Sequence, residues 1–395
     1  MSEPAAGTEG PLVFLIAGEP SGDALGGRLM AALRDRTGGA VRFAGVGGEA
    51  MEAAGLKSLV PIRDLAVMGV AEVLPRARRI FRRVNETVAA VRAAQPDAVV
   101  TIDSSGFTWR VAQRLRRHGE RVLLIHYVAP MVWAWRAGRA RRMARWYDHL
   151  MALLPFEPPY FQAVGLGCTY VGHPVVESGA DRGDGPTFRS RHGIEGDAPL
   201  ITVLPGSRRG EVHRLMPVFR ATIERLSRRY RALRVVIPTV GTVYDDVARE
   251  AKNWPVPTVA VRGNGPKYDA FAASNAALAA SGTVTLEVAL AELPMVVTYR
   301  VNAITHAILR RLVKVRFVNL LNLILDRPAI PELLQHDCAP EPLARELTRL
   351  IDDRLARERQ LEACREGLDR LGRGDTSPGL RAADCVLALI AERRR

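Results

Sequence analysis

Short apolar runs alternate with longer amphipathic stretches along most of the chain. The runs fall at 12–17, 41–44, 98–102, 122–127 and 149–152, and again at 200–204, 234–237, 258–261, 276–279 and 295–299. Continuous runs, unlike an in–out alternation, mark strands buried on both faces. With helical periodicity between them, they predict parallel sheets covered by helices. The two series are separated by Gly172-His173-Pro174 and a polar stretch over 178–197. The expectation is α/β, with two Rossmann-like doubly wound domains at 1–175 and 176–345, followed by charged helices over 346–395. Ligands are expected at the carboxyl ends of the strands, in a cleft between the domains.

The first run hands over to Ala17-Gly18-Glu19-Pro20-Ser21-Gly22-Asp23-Ala24-Leu25-Gly26. Gly22 and Gly26 share one helix face, which permits close approach to the sheet or to a ligand. Glu19 and Asp23 would repel a pyrophosphate at this helix start. Glu19, Ser21, Gly22 and Asp23 therefore suit a neutral, hydroxyl-rich group such as a sugar.

The second half carries a loop of opposite character, Pro205-Gly206-Ser207-Arg208. Gly206 admits close backbone approach, Ser207 offers a hydroxyl, and Arg208 a planar fork for phosphate oxygens. The same residues also fit an ordinary strand-to-helix turn. Ser281-Gly282-Thr283 opens another helix, where N–H groups can hold an anion or simply be capped. Glu287, one turn inside, is placed for ribose hydroxyls. Asp103 ends the 98–102 run and reads either as a general base or as a helix cap shared with Ser104 and Ser105.

The 395 residues carry a net charge of +14, which favours anionic partners, although all but four of the 56 basic residues are arginine. No run approaches the ~18 apolar residues of a spanning helix, and no secretion signal is visible. Cys168, Cys338, Cys364 and Cys385 are scattered, as expected of reduced thiols in the cytoplasm. Neither an Asp-x-Asp strand end nor a His or Cys cluster suggests a metal. Residues 67–74 are an apolar entry to a helix flanked by arginines, suited either to a core or to interfacial docking. Trp133 and Trp135, ahead of Arg136, Arg139, Arg141, Arg142 and Arg145, favour a bilayer interface, an RNA surface or a solvated helix.

These motifs together resemble the lipid-A-disaccharide synthase family. The resemblance rests on Ala17-Gly18-Glu19-x-Ser21-Gly22-Asp23-x-x-Gly26, Ala66-Val67-Met68-Gly69, Ile102-Asp103 and Val132-Trp133-Ala134-Trp135-Arg136. Downstream it rests on Leu204-Pro205-Gly206-Ser207-Arg208-x-x-Glu211, Ser281-Gly282-Thr283, Leu286-Glu287 and the spaced Asn322, Glu332 and Gln335. One departure is Ser104-Ser105-Gly106-Phe107, where the family has a Pro-Asp-Phe segment. The resemblance implies a GT-B fold and transfer of diacylglucosamine from its UDP donor to diacylglucosamine 1-phosphate. It gives Asp103 the catalytic role and adds Asn322 and Gln335 to the UDP site. Val67, Met68 and Val70 would touch the membrane or acyl chains of an enzyme peripheral at the inner face of the cytoplasmic membrane. No cofactor, metal or nucleic acid is implied. The last helices would either return to the N-terminal domain or exchange in a homodimer. A UDP-sugar 2-epimerase shares the architecture and is the nearest rival; a non-catalytic RNA- or membrane-binding protein is the other.

Overall fold

The computed structural model describes residues 10–65, 70–135, 138–302 and 315–395, and for residues 63 and 70–77 the backbone alone. The chain divides into two units, Met1–Pro174 with Gly374–Arg395, and Val175–Arg373.

The first unit holds a six-stranded parallel sheet of β1 (Leu12–Ala17), β2 (Arg42–Val46), β3 (Ala98–Ile102), β4 (Leu123–Tyr127), β5 (His149–Ala152) and β6 (Gly167–Tyr170), in the order β2-β1-β3-β4-β5-β6. Side chains alternate between its two faces. Phe14 and Ile16 of β1 pack with the helix residues Val84, Val88 and Val111, whereas Val13, Leu15 and Ala17 pack with Leu29 and Leu33. The last helix, Pro378–Arg394, covers this second face with Ala382, Ala383, Val386 and Ile390. Asp384 pairs with Arg36 at 2.8 Å and Arg394 with Asp97 at 2.6 Å, so the chain end is tied to the unit that the chain began.

The second unit repeats the plan with β7 (Leu200–Leu204), β8 (Arg234–Thr239), β9 (Thr258–Arg262), β10 (Ala276–Ala280), β11 (Met295–Tyr299) and β12 (Glu332–Leu334), ordered β12-β11-β10-β7-β8-β9. Helices Pro340–Asp352 and Arg354–Arg370 belong to this unit. Leu343, Leu347 and Leu350 are buried in its core, and the Gln360 amide hydrogen-bonds the Met295 N–H and carbonyl at 2.6 and 3.0 Å.

Ten of these strands coincide with the apolar runs. The other two, β6 and β12, are edge strands of four and three residues, and only Cys168 among them is buried. Strands this short, with a single buried position between them, leave no apolar run in the sequence.

Candidate active site

In each sheet the strand order reverses at one point, and loops leaving the two strands that flank such a point diverge to leave room for a ligand. In the first unit those strands are β1 and β3. The loop after β3 is unusual, because Asp103 (φ +49°) and Ser104 (φ +45°) are both left-handed. Each such non-glycine residue costs about 1–3 kcal/mol unless its surroundings hold it. Here the Asp103 N–H donates to the Tyr127 carbonyl at 2.9 Å. Thr108 Oγ1 lies 2.8 and 3.0 Å from the Asp103 and Ser104 carbonyls. Ser104 is the N-cap of helix Ser105–Arg117, with no side-chain cap bond. The Asp103 carboxylate does no capping either; its hydrogen-bond partner among the described residues is Ser21 Oγ, at 3.4 Å. Gly18 completes the meeting of the two loops, since a Cβ there would sit 2.5 Å from Ser104 Oγ.

The predicted sugar loop divides by direction. Glu19 is the N-cap of helix Pro20–Arg36 and is half-buried; Ser21 is exposed beside Asp103. Asp23 points inward, which corrects its assignment as a sugar ligand. It is buried, and its carboxylate accepts from the N–H groups of Gly48 (2.7 Å), Ala50 (2.9 Å) and Met51 (3.1 Å), holding the start of helix Glu49–Ala53. Gly22 and Gly26 serve the same packing: added Cβ atoms would meet the Ile102 carbonyl at 3.1 Å and Met51 Sδ at 2.5 Å.

In the second unit the reversal lies between β7 and β10. A cavity of about 570 Å³ opens there, and it gathers Gly206, Ser207, Arg208, Ser281, Gly282, Thr283 and Glu287. Gly206 has φ +103°, and a Cβ would stand 2.6 Å from Glu211 Oε2. That carboxylate folds back under the loop to within 3.3 and 3.4 Å of the Ser207 and Arg208 N–H groups. Arg208 Nη1 and the Tyr299 hydroxyl donate to its other oxygen at 2.8 and 3.0 Å. An anion brought to these N–H groups would meet Glu211 at like charge. The Arg208 guanidinium is mostly exposed and keeps further N–H groups for a ligand. The Ser281 N–H is likewise taken, by the Thr298 carbonyl at 2.9 Å.

Glu287 faces the cavity in a half-buried ion pair with Lys267 (2.7 Å), and Tyr268 donates to its other oxygen at 3.3 Å. Lys267 was not singled out from the sequence. The available signal was its rarity: where arginine is the default base, a lysine stands out.

Asn322 and Gln335 lie outside this cavity. The Asn322 amide is buried and fully engaged, donating to the Ile330 carbonyl (2.8 Å) and Glu332 (2.7 Å) and accepting from the Ile330 N–H (2.8 Å). It shapes the turn before β12, and both of its amide donors are committed within the protein. The Gln335 side chain accepts from the Val301 N–H at 3.4 Å. Val67 and Met68 lie outside the described residues, as does the side chain of Val70. Among the described residues no helix is long and apolar enough to cross a membrane.

A family model described as lipid-A-disaccharide synthetase matches residues 13–377. The chain belongs to the lipid-A-disaccharide synthase family. It is 59% identical over 382 residues to the lipid-A-disaccharide synthase of Rhodospirillum centenum, spanning 97% of this chain and 95% of that one. To the synthase of Paramagnetospirillum magneticum it is 52% identical over 383 residues, with 96% and 98% covered. As a member of this family it is a glycosyltransferase. Among solved structures it is similar to a putative UDP-N-acetylglucosamine 2-epimerase from Listeria monocytogenes, with TM-score 0.65 and 14% identity over 97% of this chain and 96% of that one. MurG of Acinetobacter baumannii gives TM-score 0.56 at 13% identity, covering 97% and 99%. At such identities the likeness is one of fold, and the synthase fold is GT-B.

Proposed function

We propose that this chain joins the 2,3-diacylglucosamine unit of its UDP donor to the 6-hydroxyl of 2,3-diacylglucosamine 1-phosphate, with a β(1→6) linkage and release of UDP. The observation that carries this reading is the cavity of the second unit, where Arg208, Lys267 and Glu287 converge on a strand-order reversal. Its cations suit a diphosphate and its carboxylate suits ribose hydroxyls. Because Glu211 and Thr298 already hold the Ser207, Arg208 and Ser281 N–H groups, Arg208 and Lys267 would take the leaving-group charge, with no metal ion required.

The first unit would supply the acceptor side. Asp103, with Ser21 as its hydrogen-bond partner, accepts the proton of the acceptor hydroxyl as that oxygen attacks the anomeric carbon. The anomeric C–O bond to the diphosphate breaks in the same displacement, UDP leaves with the electron pair, and configuration inverts. Residues 67–70 would bring the enzyme to the inner membrane face. Replacing Met68 and Val70 by Glu should then reduce liposome flotation, and undiminished flotation would remove that role.

Purified protein given both lipids in detergent micelles, with products read by mass spectrometry, tests the whole reading. Disaccharide 1-phosphate and UDP are expected, with a chelator causing no loss. Donor epimerised in the absence of acceptor would overturn it.

A further inference from the structure

A second cavity, about 800 Å³, opens within the first unit and is lined from helices Ser105–Arg117 and Gly138–Met143 and the turn after the latter. Its lining includes Arg110, Arg139, Arg142 and Arg145 together with Trp109 and Trp146, and no carboxylate. The two tryptophans pack edge to face, 6.1 Å between centroids. Arg139 is held over the Trp109 and Trp135 rings at 5.6 and 5.5 Å. Arg142 and Arg145 form no ion pair with any described residue, whereas the nearby Arg116 is paired with Asp148 at 2.6 Å. Four like charges around one hollow repel one another, and an anion between them removes that cost. Trp109 is buried, and its Nε1 has no hydrogen-bond partner among the described residues.

The position of the cavity narrows the kind of anion. Its lining begins at Ser105 and Gly106, two residues after Asp103, and reaches Trp109 one helical turn later. That turn spans about 6 Å along the helix axis, comparable to one pyranose ring from its hydroxymethyl to its anomeric substituent. A volume of this size takes a whole sugar phosphate rather than a bare ion, and indole faces suit the apolar face of the ring.

We propose that this cavity binds the acceptor's sugar ring and anomeric phosphate, with Arg142 and Arg145 on the phosphate oxygens and Trp109 and Trp146 beside the ring. The proposal rests on the reading above that the acceptor is a sugar 1-phosphate. A phospholipid headgroup presents the same phosphate chemistry, so the test separates the two.

The full chain carrying Arg142→Gln and Arg145→Gln is assayed in neutral-detergent micelles free of phospholipid. Both side chains are exposed, so the melting temperature should not change. The acceptor KM should rise about 10- to 100-fold, with kcat and UDP affinity little altered. On an acceptor bearing a methyl glycoside in place of the 1-phosphate, wild type and variant should coincide. An unchanged acceptor KM, or an equal loss on the methyl glycoside, overturns the proposal. So does a variant that keeps its acceptor KM but no longer binds phosphatidylglycerol vesicles, since its arginines then serve the membrane. If the wild type makes no disaccharide, the general reading fails separately. Binding of the phosphorylated acceptor, read by tryptophan fluorescence, then still decides: loss in the variant supports the cavity and retention overturns it.

Discussion

At the scale of single residues, Asp103 is set apart by its backbone as much as by its carboxylate. Asparagine tolerates left-handed φ as aspartate does, whereas alanine costs about 1 kcal/mol more there. Asp103→Asn should therefore melt like the wild type while losing about 10²–10⁴ in kcat, the usual range for a general base; turnover near the wild-type level would exclude Asp103 from proton transfer. Asp103→Ala should lose as much activity and also some stability. Asp23, in the segment after β1, is the contrasting carboxylate. Replacing it by Ala strips three N–H groups of their acceptor and should cost roughly 3 kcal/mol in urea denaturation. An unchanged midpoint would show that these N–H groups find other partners.

At the scale of elements, the loop after β7 is built around Glu211, and Gly206 makes room for it. The Ser207 and Arg208 N–H groups are thereby occupied, and on the proposed reading a diphosphate would be bound by side chains from two different helix starts, Arg208 and Lys267. Lys267→Met should weaken UDP binding about 10- to 100-fold in calorimetry, since a charge-assisted bond contributes about 1.5–3 kcal/mol. Arg208→Ala should do the same. An affinity equal to wild type in either variant would remove that side chain from the UDP site. Gly206→Ala should weaken UDP binding indirectly, by displacing Glu211.

For the molecule as a whole, the chain end stabilises the unit that contains its beginning. A protein ending at Arg373 lacks helix Pro378–Arg394 and exposes Leu29 and Leu33, so the first unit should lose its cooperative melt while the second still binds UDP. A truncated protein melting like the full chain would contradict this. The first unit should also be the acid-sensitive one. Burial lowers the His126 pKa from 6.5 to about 3, and burial with the Arg28 charge lowers His173 to about 4. The unfolded chain binds these protons below pH 6.5 and the native state does not, so stability is lost as pH falls through that window. Glu157 acts oppositely, because burial raises its pKa from 4.5 to about 7 and favours the native state toward the lower end of that range. His126→Asn should be less stable at neutral pH, yet lose less stability from pH 6.5 to about 4 in urea titrations. Curves parallel to the wild type would acquit His126.

Ten strands and the strand-to-helix turns after β1 and β7 were legible in the residue pattern, because burial on both faces and such a turn each leave a local signature. Membership of the synthase family was legible for the same reason, through short motifs at those turns. The inward turn of Asp23, the self-contained hydrogen bonding of Asn322, the arrival of Lys267 beside Glu287 and the occupation of two loop N–H groups by Glu211 were not. Each depends on which distant or neighbouring group a side chain meets after folding. Residue type and spacing fix what chemistry a side chain can offer; only the packed structure decides whether another part of the protein has already taken it.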